Sequence, residues 1–201
     1  MVKLTTIIFI LLSLIIANPA MSKSTKAAEA QYAVKGAGLA SCEKFSAAHK
    51  QRSSDYFLYA GWLEGYLSGF NQNQAATYDI APWQTLELML GMLNAHCLKK
   101  PDDPYFTAVN RLLSVMFPHR LESNDKLLKI KQGTKGQIIY QQTLVKVQAK
   151  LKEAGLYFQE PNGEYDQTSV DALINFQKSK KIPVTGMPDV NTLYALLMAP
   201  K

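Results

Sequence analysis

The chain has 201 residues, two cysteines and a formal net charge of +6. The positive excess lies from His119 onward, twelve Lys or Arg against eight Asp or Glu, while Lys23–Pro118 is nearly balanced at nine against eight. Such a charge suits a polyanionic partner, but no basic groove interleaved with aromatics is present, so nucleic acid is not an expected partner.

Residues 1–22 read as a secretory leader. Lys3 gives a positive start, Leu4–Ala17 is an apolar and hydroxyl run, and Ala17, Ala20 and Ser22 offer small-residue cleavage sites. The run is short for a membrane span, and no cysteine follows it to carry a lipid. Export to the periplasm is the expectation, with an uncleaved anchor as the alternative. Ser22–Gln31 is small, polar and lysine-bearing, an unstructured lead-in.

From 34 to 118 the pattern is helical. A short helix surrounds Cys42 and Phe45. Tyr56, Tyr59, Leu63, Tyr66 and Phe70 then lie on one helix face, and Trp83, Leu86, Leu90, Leu93 and Cys97 on the next. Phe106, Val109, Leu113 and Met116 make a third face. Pro82 and Pro104 suit first turns, with Asp103 as the N-cap ahead of Pro104. Gly61, Gly65 and Gly69 form a smooth stripe, expected to admit a close helix from the same chain or from a second copy. Cys42 and Cys97 are expected to form a disulfide in an exported protein. The alternative is a nucleophile pairing Cys97 with His96, but adjacent helical residues point in different directions. Residues 119–142 lose periodicity around Pro118, Gly133 and Gly136 and read as a linker or loose helix.

Residues 143–199 contain a repeat. Gly163, Asp166, Ser169, Ala172 and Leu173 recur 23 residues later as Gly186, Asp189, Thr192, Ala195 and Leu196. In each copy a glycine turn is followed by an aspartate that caps a new helix. Upstream, Leu144, Val147, Leu151 and Ala154 keep helical spacing to the C-cap position at Gly155. The expected unit is three helices on one small core.

These residues resemble the peptidoglycan-binding module attached to bacterial wall hydrolases. Val147-Gln148 through Gly155 match its first helix, and Asn162-Gly163-Glu164-Tyr165 its turn. Ala172-Leu173 and Phe176-Gln177 match its second helix, and Val184-Thr185-Gly186, Asp189, Thr192 and Leu193 its close. Asp166 and Ser169 depart from the usual glycine and threonine. The resemblance implies peptidoglycan as partner, with Tyr165, Gln177, Thr185 and Asp189 as candidate contacts. Each has a structural alternative: Tyr165 as a core plug and Asp189 as a helix cap.

The first half resembles small helical periplasmic proteins related to acid-stress chaperones of the HdeA type, and within them immunity proteins of the Rap1a/Tai type that neutralise type VI secreted amidases. Cys42, Trp62–Gly69, Cys97, Pro101 and Ala108–Leu113 carry that likeness. It implies a protein partner, a wall-active enzyme or toxin; a second copy of the chain is a further candidate.

Hydrolytic chemistry finds little support. His49, His96 and His119 have no metal-ligand spacing, and no glycine-rich phosphate loop or Gly-x-Ser-x-Gly occurs. Glu64 alone stands where a buried glycosidase acid would. The expectation is therefore an exported all-α, non-catalytic protein without metal or cofactor. It would have a disulfide-closed helical bundle followed by a three-helix peptidoglycan-binding module. The other readings are an acid-stress chaperone and a cell-wall hydrolase.

Overall fold

The computed structural model describes residues 32–199; the expected leader, 1–22, lies outside them. Ser41 opens α1 (Cys42–Gln51), its hydroxyl accepting the Lys44 N–H. A left-handed Arg52, φ +51°, closes it and turns the chain into α2 (Ser54–Asn73). That long helix buries Tyr56, Tyr59, Ala60, Leu63 and Leu67.

Helix α3 covers Leu86–Cys97, because the Thr85 hydroxyl accepts the Leu88 N–H at 3.2 Å and sets the start there. Pro82 therefore lies ahead of the helix rather than in its first turn. Trp83, expected on this helix's face, packs into a different core. Pro104 is itself the N-cap of α4 (Tyr105–Met116), its fixed φ of −59° suiting that position. Asp103, expected as the cap, pairs with His96 at 3.0 Å instead.

Phe45, Tyr59 and Tyr105 meet at ring distances of 4.7 to 5.2 Å in the middle of these four helices. Burial raises the pKa of the Tyr105 phenol. The expected disulfide is present: Cys42 and Cys97, both fully buried, join the start of α1 to the end of α3 across 55 residues. On the chain-entropy view a loop of that size stabilises by about 4 kcal/mol.

The glycine stripe differs from expectation. A Cβ at Gly61, Gly65 or Gly69 would meet nothing within 4 Å, so among the described residues no helix approaches there. A glycine of this half that is under pressure is Gly38, in the 3-10 turn Gly36–Leu39, where a Cβ would overlap the Trp62 ring. Trp62 Nε1 fastens the same turn by donating to the Lys35 carbonyl at 2.8 Å.

Residues expected to form a linker or loose helix contain a β-hairpin. Strand β1 (Leu127–Gln132) pairs antiparallel with β2 (Lys135–Tyr140), Leu127 opposite Tyr140 and Gln132 opposite Lys135. The two-residue turn begins with Gly133 at φ +59°, a conformation that hairpin turns demand and glycine supplies. Ile130 and Ile139 point inward while Lys129, Lys131 and Ile138 stay exposed.

Helices α5 (Gln141–Glu153), α6 (Gln167–Lys180) and α7 (Val190–Leu193) follow. The last runs on as a π-helical turn, Tyr194–Met198. Gly155, φ +71°, stands after α5 as the left-handed C-terminal glycine. Asp166 and Asp189 cap α6 and α7, accepting the N–H groups of Ser169 and Thr192. The architecture is thus all-α with one small hairpin.

Two hydrophobic clusters result, one in α1–α4 and one in the hairpin with α5–α7, yet the chain from Val34 onward forms one compact unit. Trp83 enters the second cluster from the first half. The Gln84 amide donates to Met198 Sδ at 3.7 Å. Lys146 Nζ donates to the carbonyls of His119 and Arg120 at 3.2 and 3.0 Å, and burial lowers the pKa of this ammonium. Among the described residues no helix is long and apolar enough to cross a membrane.

Candidate functional site

Each half of the C-terminal repeat is built around a buried glutamine. Gln177 on α6 has no exposed surface. Its Oε1 accepts the N–H groups of Thr185 and Gly186, both at 2.9 Å. Its Nε2 reaches Met187 O at 2.9 Å, Thr192 Oγ1 at 2.8 Å and Thr185 Oγ1 at 3.0 Å. Gln148 on α5, equally buried, treats the first turn alike. Its Oε1 accepts from Asn162 N at 2.9 Å and Gly163 N at 2.8 Å. Its Nε2 faces Glu164 O, Ser169 Oγ and Asn162 Oδ1 at 2.8, 3.0 and 3.3 Å. A side-chain amide is neutral and carries two N–H donors beside a carbonyl oxygen with two lone pairs, enough to serve both sides of such a turn.

The glycines complete the geometry. Gly163 has φ +73°, and a Cβ there would lie 2.6 Å from Gln141 Cγ and 2.9 Å from Val145 Cγ2. Gly186, φ +68°, is less confined, its nearest neighbour being Val170 Cγ1 at 3.1 Å. The first turn is thus pressed onto the start of α5, directly after the hairpin.

Between that turn and β1 opens a groove of about 420 Å³. Lys126, Lys129 and Lys131 line its strand side, and Gln141, Glu164 and Tyr165 its turn side, with Leu128 and Ile130 as apolar floor. The three lysines are exposed and outnumber the single Glu164 carboxylate. The Tyr165 ring is half-buried, its hydroxyl donates to Gly186 O at 2.8 Å, and burial pushes its pKa up to about 12. The groove therefore offers positive charge, an aromatic edge, an amide and turn backbone, a set suited to a polar, carboxylate-bearing chain.

The sequence-derived candidates separate in this geometry. Tyr165 lines the groove. Gln177 is enclosed, its amide engaged by the second turn, so it reaches no ligand surface. Thr185 and Asp189 are half-buried and face each other, Thr185 Oγ1 donating to Asp189 Oδ2 at 2.6 Å. Asp189 Oδ1 accepts the Thr192 N–H at 3.0 Å, the helix-cap alternative. Sequence reasoning placed Gln148 in the first helix of the family pattern without making it a candidate contact, and it read the lysines of β1 as part of the linker. Gln148 escaped because it precedes Gln177 by 29 residues, outside the 23-residue register of the turns. The signal available was an apolar residue followed by glutamine, Val147-Gln148 and Phe176-Gln177, on the buried face of both helices.

In the first half Glu64 is exposed on α2, and Cys97 is held in the disulfide. Arg52, Tyr56 and Glu87 make the principal charged cluster there. The Arg52 guanidinium binds both Glu87 oxygens, and the Tyr56 hydroxyl donates to Oε2 at 2.8 Å. These partners hold the Glu87 pKa down at about 2. Among the described residues no group of His, Cys, Asp or Glu is arranged to hold a metal ion.

Residues 141–196 match a family model described as "Putative peptidoglycan binding domain". The match begins at the first residue of α5 and ends within the final helical turn, so the hairpin lies outside it. Neither a curated protein nor a solved structure matches the chain.

Proposed function

We propose that this is a non-catalytic exported protein whose C-terminal module docks on peptidoglycan and presents the disulfide-closed bundle at the cell wall. The observation that carries the reading is the family match over residues 141–196, joined to an open, lysine-flanked groove at the Gly163 turn. Peptidoglycan stem peptides carry carboxylates, and lysines beside an apolar floor attract them and raise the local encounter rate. A buried disulfide is at home in an oxidising compartment and supports export. The non-catalytic reading is supported by the oxidised state of Cys97 and the solvent exposure of Glu64, the two side chains that hydrolysis would have used.

For the bundle, a protein partner is the reading we favour over acid-stress chaperoning. Phe57 and Leu58 are about two-thirds exposed, at 67% and 64%, and they adjoin the open glycine stripe of α2. An inhibitor or immunity role toward a wall-active enzyme would use that face.

The test is co-sedimentation of the mature protein with purified insoluble peptidoglycan. The protein is expected in the pellet, less so as salt rises. The double change Lys129→Glu and Lys131→Glu, at exposed strand positions, should lower retention several-fold. A protein that stays in the supernatant at low salt would remove the wall-docking function.

A further inference from the structure

The bundle carries a second groove, between α2 and α4. Trp62, Tyr66, Phe70 and the C-cap residue Gln74 follow at four-residue steps and so line one face of α2. Phe106, Asn110, Ser114 and Phe117 follow along α4. Near the first end the rings fill the gap: Trp62 stacks on Tyr66 with centroids 5.1 Å apart, and Tyr66 meets Phe106 edge-on at 5.6 Å. The Tyr66 hydroxyl donates to Asn110 Oδ1 at 3.0 Å.

At the other end an open space of about 410 Å³ is lined by Phe70, Gln74, Asn110, Leu113, Ser114 and Phe117. Phe70 and Phe117 stand perpendicular, 6.5 Å apart, and the Arg120 guanidinium lies over the Phe117 ring at 3.9 Å. None of the six lining side chains is ionised at neutral pH. The polar groups are two amides and a hydroxyl, the last donating to the Asn110 carbonyl at 3.0 Å. An anionic or cationic ligand would be desolvated here without a counter-charge among the lining residues. A pyranose would not, because its C–H faces pack on aromatic rings while its hydroxyl and acetamido groups bond to neutral amides.

We infer that this groove binds the N-acetylated sugar chain of the wall, a second contact on the polymer that the module holds. The choice of sugar chain rests on the wall-docking reading; the class of ligand rests on the groove. Two contacts on one compact unit make the second binding event intramolecular, so retention on an intact wall exceeds that of either alone.

The probe is a neutral β-linked N-acetylglucosamine tetrasaccharide, titrated into the mature protein and followed by the side-chain amide NMR signals of Gln74 and Asn110. Both signals are expected to shift. Ser114→Arg, at an exposed position of α4, should fill the groove and weaken the tetrasaccharide at least tenfold, with Gln74→Glu as a second, milder variant. Shifts confined to residues 141–196, or none at all, would overturn the inference even where the protein still sediments with peptidoglycan. Shifts at Gln74 and Asn110 in a protein that fails to sediment would uphold the sugar site and remove the wall-docking reading alone.

Discussion

The Tyr165 hydroxyl donates to the carbonyl of Gly186 at 2.8 Å, so the aromatic of the first turn is anchored on the glycine of the second. Tyr165 lies within the first copy of the internal repeat and Gly186 opens the second, so the bond ties the two turns together. Tyr165→Phe keeps the ring but strands the carbonyl. A loss of about 1 kcal/mol in stability is expected, read as a shifted denaturant midpoint at unchanged slope. An unchanged midpoint would mean that water satisfies Gly186 equally well.

The buried glutamines should be far less tolerant. Gln177→Leu preserves approximate volume but leaves the Thr185 and Gly186 N–H groups and the Met187 carbonyl without their partner. With each buried orphan costing about 1–3 kcal/mol, a total of at least about 3 kcal/mol is expected. Gln148→Leu should behave alike at the first turn. Thermal unfolding measures both; a loss below about 1 kcal/mol in either would show that its turn holds itself.

Two sets of glycines should respond with opposite signs. Gly163→Ala must adopt φ +73° and meet Gln141 and Val145, so it should destabilise by about 2 kcal/mol or more. Gly61→Ala and Gly65→Ala enter open space in a helix interior and should each stabilise the isolated chain by roughly 0.5–1 kcal/mol. Destabilisation by the α2 variants that grows with protein concentration would reveal a second copy packed on the stripe.

Glu87 gives a pH signature. Hydrogen bonds from Arg52 and Tyr56 hold its folded pKa at about 2, below the ordinary carboxylate value of 4.5. The stability it contributes is therefore present above about pH 4.5 and is lost as pH falls toward 2. An NMR titration of the Glu87 carboxyl should place its midpoint near 2, and Arg52→Gln should raise it. A midpoint in the ordinary range would mean that the ion pair is open in solution.

The sequence by itself determined the local grammar of the second half. A glycine needing positive φ, an aspartate whose carboxylate caps the next N–H groups, and an apolar stripe at helical spacing are short-range signals, and the 23-residue repeat displays them twice. It also pointed to the disulfide, since a chain with two cysteines allows a single internal pairing. Residues 119–142 read as a linker or loose helix, although the Gly-Thr pair at 133–134 was a turn signal for the hairpin found there. Its lysines and glycines, however, carry the same composition as a solvated connector, and only strand pairing separates the two. What the tertiary structure decided was which polar side chains are available. Gln177 and Tyr165 look equally ready to meet a ligand in one dimension. Packing against the second turn encloses the glutamine, and a hairpin 14 residues long across its span sets Lys129 and Lys131, with Lys126 just ahead of it, beside the tyrosine. The glycine stripe followed the same logic: its spacing allows a close helix, but whether one arrives depends on where α1, α3 and α4 find apolar surface. They found it on the opposite side of α2.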